Sequence, residues 1–80
     1  MSSSVIHQQF EGTLVGSDPQ SRQLVVNSDG AVLTTSVSPG AAISLHGEFV
    51  RLRMLQVGDH VVVVAANTPS GLVARSVTAT

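Results

Sequence analysis

The fold is decided by one stretch of sequence, Leu52-Arg-Met-Leu-Gln-Val-Gly-Asp-His-Val-Val-Val-Val64. This stretch joins a short turn-like run to a Gly-Asp corner and then to a strongly apolar strand. The run from Leu52 to Leu55 is too short for an independent helix, so it predicts a single helical or 3₁₀ turn. We expect its two leucines to plug one end of a β-barrel to which the valine run contributes a strand.

The rest of the chain is rich in branched residues and is interrupted by Gly, Pro, Asn and Asp at the spacing typical of strand-and-turn proteins. Asp29-Gly30 favours a two-residue type I′ hairpin, because both residues tolerate positive φ. Ser38-Pro39-Gly40 is expected to end the strand that follows the hairpin. The expected strands are 5–16, 23–27, 31–37, 60–66 and 72–78, with short strands at 43–45 and 49–51.

These features predict one all-β domain over residues 1–80, a small OB-like antiparallel barrel of five to six strands with one short helical turn. On the first strand Phe10, Gly12 and Leu14 should share one face, and Gly12 is a position where the strand could bend. We expect frayed ends at 1–4 and 79–80. The core is expected to contain Leu14, Leu24, Val26, Leu33, Val61, Val63 and Leu72.

Composition excludes several classes of function. The chain has no Cys, which removes disulfides, thiolate metal sites and cysteine nucleophiles. All of its basic residues are Arg, and with five acidic residues the net charge is -1, unlike the charge of a strong polyanion binder. The amino terminus lacks a secretory signal, and no apolar stretch approaches the roughly 20 residues of a membrane span. The sequence therefore predicts a cytoplasmic protein without a membrane partner.

Convergent catalytic or metal-binding chemistry is missing from the sequence. There is no Gly-x-Ser-x-Gly nucleophile elbow and no paired carboxylate signature, so we expect a protein that is not an enzyme and needs no cofactor. A soft-metal site would need two or three of His7, His46 and His60 to meet Met54. Their wide separation along the chain predicts no metal site.

Nucleic acid is one alternative partner, because OB barrels bind single strands on the face of their second and third strands. No aromatic residue on that face can stack a base, so the sequence disfavours this alternative while leaving it open. The polar residues of the face are Arg22, Asn27, Thr34, Thr35 and Ser36. A second cationic patch would lie near Arg51, Arg53 and Arg75.

The valine run carries the main prediction. Strict alternation leaves Val62 and Val64 on the outer surface, where a solvated strand usually carries polar groups. Either the loop 38–48 or the N-terminal arm covers them, or the face contacts another subunit. We favour the subunit contact, with Arg51, Arg53 and Arg75 as further candidate interface residues. The predicted function is a non-catalytic binding or assembly module that packs on copies of itself, as a homo-oligomer, or on a larger protein assembly.

Four motifs resemble those of bacterial small OB-like barrel domains of unknown function, in which a Gly-x-Val-x-x-Val-Asp strand opens the barrel and a Leu-x-x-Leu-x-Val-Gly-Asp-x-Val-x-Val block precedes the final hairpin. The motifs here are Gly12-Thr-Leu-Val-Gly-Ser-Asp-Pro19, Leu24-Val-Val26, the block from Leu52 to Val63, and Gly71-Leu-Val-Ala-Arg-Ser-Val77. The resemblance spans about Phe10 to Val77 and implies the fold more than the function.

A related family of periplasmic barrels binds copper through a His, a Met-x-Met pair and a Trp stacked on the ion. The present chain has no Trp and no Met-x-Met, so no metal ligand is carried over from that family. Copper carriage is kept as a further alternative function on the strength of this distant resemblance.

Overall fold

A computed structural model describes residues 7–80, which form six strands and one 3₁₀ turn. The strands are β1 (His7–Asp18), β2 (Gln23–Ser28), β3 (Ala31–Leu45), β4 (Glu48–Phe49), β5 (His60–Thr68) and β6 (Gly71–Ala79), and the turn η1 is Leu52–Met54. The all-β prediction is confirmed. None of the residues 7–80 forms a helix that could cross a membrane.

Five of the strands close into a barrel. β1 pairs with β2 and β5, β2 pairs with β3, β3 pairs with β6, and β6 pairs with β5 to complete the ring. β4 adds two residues beside the end of β3. The β3–β6 pair is parallel, whereas the sequence predicted only antiparallel pairs. The parallel pair arises because β3 extends past its hairpin partner β2 and reaches β6.

β3 continues from Ala31 to Leu45, although Ser38-Pro39-Gly40 was expected to end it. The first half of β3 pairs with β2 and the second half pairs with β6. The register is irregular between Val37 and Ala42, where the strand changes its partner. Pro39 is tolerated there because an irregular segment needs no ladder hydrogen bond from its nitrogen.

β1 also serves two partners, and it bends where it changes from β5 to β2. A bulge lies between Leu14 and Gly16. At Gly12, a Cβ atom would overlap the carbonyl oxygen of Asn27, so only glycine allows the two strands to come this close. Residues 7–9 pair with β5 of the same chain. The remainder of the N-terminal arm, residues 1–6, lies outside the described residues.

The turns follow the sequence chemistry. Asp29 and Gly30 have φ of 55° and 87°, as a type I′ hairpin requires. In the turn between β1 and β2, the Asp18 carboxylate accepts hydrogen bonds from the backbone N–H groups of Gln20 and Ser21 at 3.2 and 3.3 Å. Hydrogen bonding, first from the Ser21 side chain, lowers the pKa of the Asp18 carboxyl below its ordinary value.

The barrel interior contains most of the predicted core. Leu33 and Leu72 are only half-buried, because β6 begins to cover β3 only at Ser36. Leu52 begins η1 and Leu55 directly follows it. These two leucines are 4% and 5% exposed and plug one barrel end as predicted. The predicted core residues that are fully buried are Leu14, Leu24, Val26, Val61 and Val63.

The last residues are held in the sheet, where the sequence predicted a frayed end at 79–80. Ala79 is buried within β6, and the Thr80 N–H donates to the His60 carbonyl oxygen at 2.9 Å. These contacts extend the β5–β6 ladder as far as Thr80. The predicted fraying of residues 1–4 concerns residues outside the described part.

Candidate docking surface

Val62 and Val64 point outward from β5 and are half-buried. Val62 pairs with Glu11 on β1 and with Thr78 on β6, and Val64 is flanked in the same way by polar residues. Directly paired residues share one face of a sheet, so side chains of the neighbouring strands supply the partial cover. Residues 38–48 were predicted as a loop that could cover the two valines. They belong mostly to β3 and β4 of the barrel itself.

The register continues this outer face across four strands. Val62 lies beside Thr78, which lies beside Ser44, which lies beside Phe49. A second row joins Val64, Ser76 and Ala42. We call these two rows the outer wall, and none of its side chains is charged. Its members are Ala42, Ser44, Phe49, Val62, Val64, Ser76 and Thr78.

Charged side chains lie around the outer wall. Phe49 is 84% exposed at one edge, next to the exposed Glu48. Glu11 flanks the opposite edge on β1. Arg75, one of the predicted interface residues, is exposed where the β5–β6 register shifts. An uncharged centre with a charged rim is the distribution found in protein interfaces.

Sequence reasoning found the two valines of the outer wall and missed its other members. The alternation that would have revealed them is present, since Ala42 and Ser44 flank the buried Ile43 in sequence. Which strands lie side by side was the missing information, because β6 and β3 are brought together by a parallel pairing that no hairpin signals.

The other predicted interface residues, Arg51 and Arg53, lie on a different element from the two valines of β5. Arg51 directly precedes η1 and Arg53 lies within it, at the plugged barrel end. Both arginines are exposed. Within residues 7–80 neither guanidinium makes an ion pair or a side-chain hydrogen bond of ordinary length. Met54 and Val57 beside them are 50% and 67% exposed. The predicted interface is thus divided between two surfaces.

The predicted nucleic-acid face is not assembled as a free polar surface. The Arg22 Nε donates to the Val37 carbonyl oxygen at 3.2 Å, and its Nη2 donates to the Ser38 carbonyl oxygen at 3.0 Å. Thr35 is fully buried, and its hydroxyl lies 3.3 Å from the Leu72 carbonyl oxygen, to which it donates. These two side chains hydrogen-bond to the barrel backbone, so they are not free polar groups on that face. Asn27, Thr34 and Ser36 are exposed.

His46 and His60 lie on different strand ends of the barrel, and the side chain of His7 lies outside the described part of the structure. The His46 N–H donates to the Ala79 carbonyl oxygen at 3.1 Å, and the His60 carbonyl oxygen accepts a hydrogen bond from the Thr80 N–H. The two histidines therefore lie on opposite sides of the end of β6. The His60 Nε2 lies 3.3 Å from the Glu11 Oε2, and both side chains are exposed. Within residues 7–80 no three His, Asp or Glu side chains converge on one point, and no cavity of ligand size is present.

The barrel is similar to solved structures of CusF from Escherichia coli. Ag(I)-bound CusF has a TM-score of 0.80 and 12% identity over 100% of this chain and 99% of that chain. Apo-CusF has a TM-score of 0.71 and 13% identity over 99% and 95% of the two chains. A Trp-to-Ala variant of CusF with Cu(II) has a TM-score of 0.72 and 11% identity over 100% and 99%.

At these identities the similarity establishes the fold, a small closed β-barrel, and leaves the ligand of this chain open. No protein-family model matches the chain, and no curated protein matches it in sequence. The functional assignment therefore depends on the surfaces of the barrel itself.

Proposed function

We propose that this protein is a non-catalytic packing module that binds a second copy of itself through the outer wall. The observation that carries the proposal is the uncharged row from Val62 to Phe49, which crosses four strands and ends in an aromatic ring that is 84% exposed. Exposed aromatic residues on an uncharged centre are typical anchors of protein interfaces.

A second copy suits the outer wall for electrostatic and steric reasons. In a two-fold pair the same surface faces itself, so a charged wall would repel its partner, and this wall carries no charge. Apart from Phe49, its side chains are small or β-branched, which lets two sheets approach to the usual distance of about 10 Å. The exposed Phe49 ring of each copy can then pack against the small residues of the other.

The size of the wall predicts a weak dimer. Three spacings of about 4.8 Å between strands and two rows roughly 7 Å apart give an uncharged area of a few hundred Å² at most, and this area is curved because its strands belong to the closed barrel. A standard stable interface buries about 800 Å² on each partner, so rim residues must contribute. We expect a dissociation constant in the micromolar range or weaker, and hence a strong dependence of the assembly on concentration.

Light scattering across a series of protein concentrations tests the proposal. The parent chain should approach the mass of a dimer as its concentration rises. Val62→Lys and Val64→Glu should remain monomeric, because each places an unpaired charge in the centre of the interface. Thr34→Lys is the matched control, since it adds a charge to an exposed strand position outside the wall. A parent that stays monomeric throughout, or wall variants that assemble as the control does, would refute the proposal.

Binding of a soft metal ion is the second candidate function. The observation in its favour is that all the solved structures described above are CusF, two of them with Ag(I) or Cu(II) and nearly coextensive with this chain. The donor set does not fit that of the copper-binding family, because Met54 and the histidines replace neither the Trp nor the Met-x-Met pair. The comparisons therefore support this candidate more than the packing module, and the donor set opposes it.

Titration with Ag(I), followed by calorimetry, separates the two candidates. Saturable one-to-one binding that Met54→Leu or His60→Gln weakens would support metal carriage, and Arg53→Gln serves as a neighbouring control. The packing proposal predicts no saturable site and no effect of Ag(I) on the mass measured by light scattering.

A further inference from the structure

The plugged end of the barrel combines positive charge with exposed apolar side chains. We call this surface the basic tip and define it as Arg51, Arg53, Met54 and Val57. It shares no residue with the outer wall, whose member Phe49 on β4 precedes Arg51 by two residues. The composition of the tip therefore requires an explanation of its own.

The geometry of η1 sorts the side chains of the tip. In a 3₁₀ turn, residues three apart lie on the same side. Leu52 and Leu55 are nearly fully buried, whereas Arg51, just before the turn, and Met54, its last residue, are exposed. Arg53, between them, is exposed as well. The sequence thus turns both arginines and the thioether outward while two leucines anchor the turn in the core.

Backbone hydrogen bonds hold the tip in place. The Met54 N–H donates to the Arg51 carbonyl oxygen at 2.9 Å, and the Gly58 N–H donates to the Leu14 carbonyl oxygen of β1 at 2.8 Å. Val57, just before Gly58, therefore projects from a segment that is fixed at both ends. A surface presented in this way loses little conformational entropy when it binds.

The charge of the tip is not paired. The acidic residues that bound the tip in sequence are Glu48 and Asp59, and within residues 7–80 neither forms a salt bridge with Arg51 or Arg53. The Asp59 carboxylate, which follows, accepts the Gln56 N–H at 2.9 Å through its Oδ2 and is directed to its own turn. Two positive charges thus stand beside two exposed apolar side chains on a protein whose formal net charge is -1.

We propose that the basic tip binds the surface of an anionic phospholipid membrane. The guanidinium groups of Arg51 and Arg53 contact the headgroup phosphates, and the side chains of Met54 and Val57 enter the interfacial region. Surface attachment requires no membrane-spanning segment, so it is compatible with a sequence in which no apolar stretch is long enough to span a membrane. It replaces the expectation of no membrane partner, which considered only spanning segments.

Two other occupants fit the tip less well. A second copy placed two-fold on this surface would bring the arginines of both chains together, and like charges oppose such a contact. Single-stranded nucleic acid would satisfy Arg51 and Arg53, and of the tip and its neighbours only Phe49, which precedes Arg51 by two residues and belongs to the outer wall, could stack a base. Met54 and Val57 would then remain in water.

Flotation of the full chain with lipid vesicles at low salt tests the proposal. We expect binding to vesicles of phosphatidylcholine mixed with phosphatidylglycerol and much weaker binding to phosphatidylcholine alone. Arg51→Gln and Arg53→Gln should each weaken binding roughly fivefold, the effect of one basic residue near such a surface. The double change Met54→Ser with Val57→Ser should also weaken it. Arg75→Gln, which removes an exposed arginine outside the tip, should leave binding unchanged.

Three results would overturn the proposal. The first is equal binding to the two kinds of vesicle. The second is a loss in Arg75→Gln as large as that in Arg51→Gln, which would indicate unspecific attraction. The third is tighter binding of a single-stranded oligonucleotide with the same dependence on Arg51 and Arg53. Thermal melting of every variant verifies that the barrel is intact.

Discussion

At the scale of single residues, one missing side chain allows β1 to serve two partners. Gly12 lies where β1 passes the backbone of Asn27 so closely that no Cβ atom fits. Gly16, four residues later on the same strand, would place a Cβ 3.4 Å from the Val25 Cβ, which is an ordinary van der Waals distance. The two glycines look alike in the sequence, and only the packing of the barrel distinguishes them.

Gly12→Ala is therefore expected to destabilise the protein by about 2 kcal/mol or more, because the backbone of Asn27 would have to move. Gly16→Ala should change the free energy of unfolding by less than about 1 kcal/mol, since the new Cβ would lie at ordinary van der Waals distance from the Val25 side chain. Urea unfolding of the two variants measures this contrast. Equal losses in both would contradict the close approach at Gly12.

At the scale of the elements, the decisive event is the change of partner within β3. The carbonyl oxygens of Val37 and Ser38 lie where β3 leaves β2 and turns to β6. Arg22 lies in the turn between β1 and β2, and its guanidinium donates hydrogen bonds to both of these carbonyl oxygens. The Val37 N–H in turn donates to the Arg22 carbonyl oxygen at 2.8 Å. One residue thus stabilises the bend that makes the barrel mixed.

Arg22→Ala should lower the free energy of unfolding by about 1 to 3 kcal/mol, the usual cost of removing hydrogen bonds from a charged donor to partly buried acceptors. Arg53→Ala is the matched control and should change stability by less than about 0.5 kcal/mol, because Arg53 is exposed. Thermal melting compares them. A variant Arg22→Ala as stable as Arg53→Ala would show that the bend forms without this residue.

The strands and turns also show which parts of the fold can be predicted from the sequence alone. Local signals were sufficient for the Asp29-Gly30 hairpin, for the plug at η1 and for the alternating core positions of β5. Ser38-Pro39-Gly40 was misleading, because the same residues that end a strand also allow an irregular bend within one. Whether such a segment stops or bends depends on a partner strand far away in the sequence.

At the scale of the whole molecule, ring closure creates the candidate site. The outer wall exists only because β6 lies between β5 and β3, which places Thr78 between Val62 and Ser44. The sequence therefore revealed the outward valines but neither their neighbours nor the exposed Phe49. It also grouped Arg51 and Arg53 with the valines, whereas in the barrel these arginines belong to or adjoin η1 and the valines lie on β5. Adjacency of non-consecutive strands is a tertiary property that no single segment encodes.

The most direct test of the outer wall is a residue-by-residue comparison of backbone amide chemical shifts between dilute and concentrated samples. We expect concentration-dependent shifts centred on Ser44, Val62 and Thr78, with Thr34 on the far part of β3 unchanged. Shifts that do not depend on concentration, or that centre on Thr34 and its neighbours, would contradict the assignment of the outer wall as the docking surface.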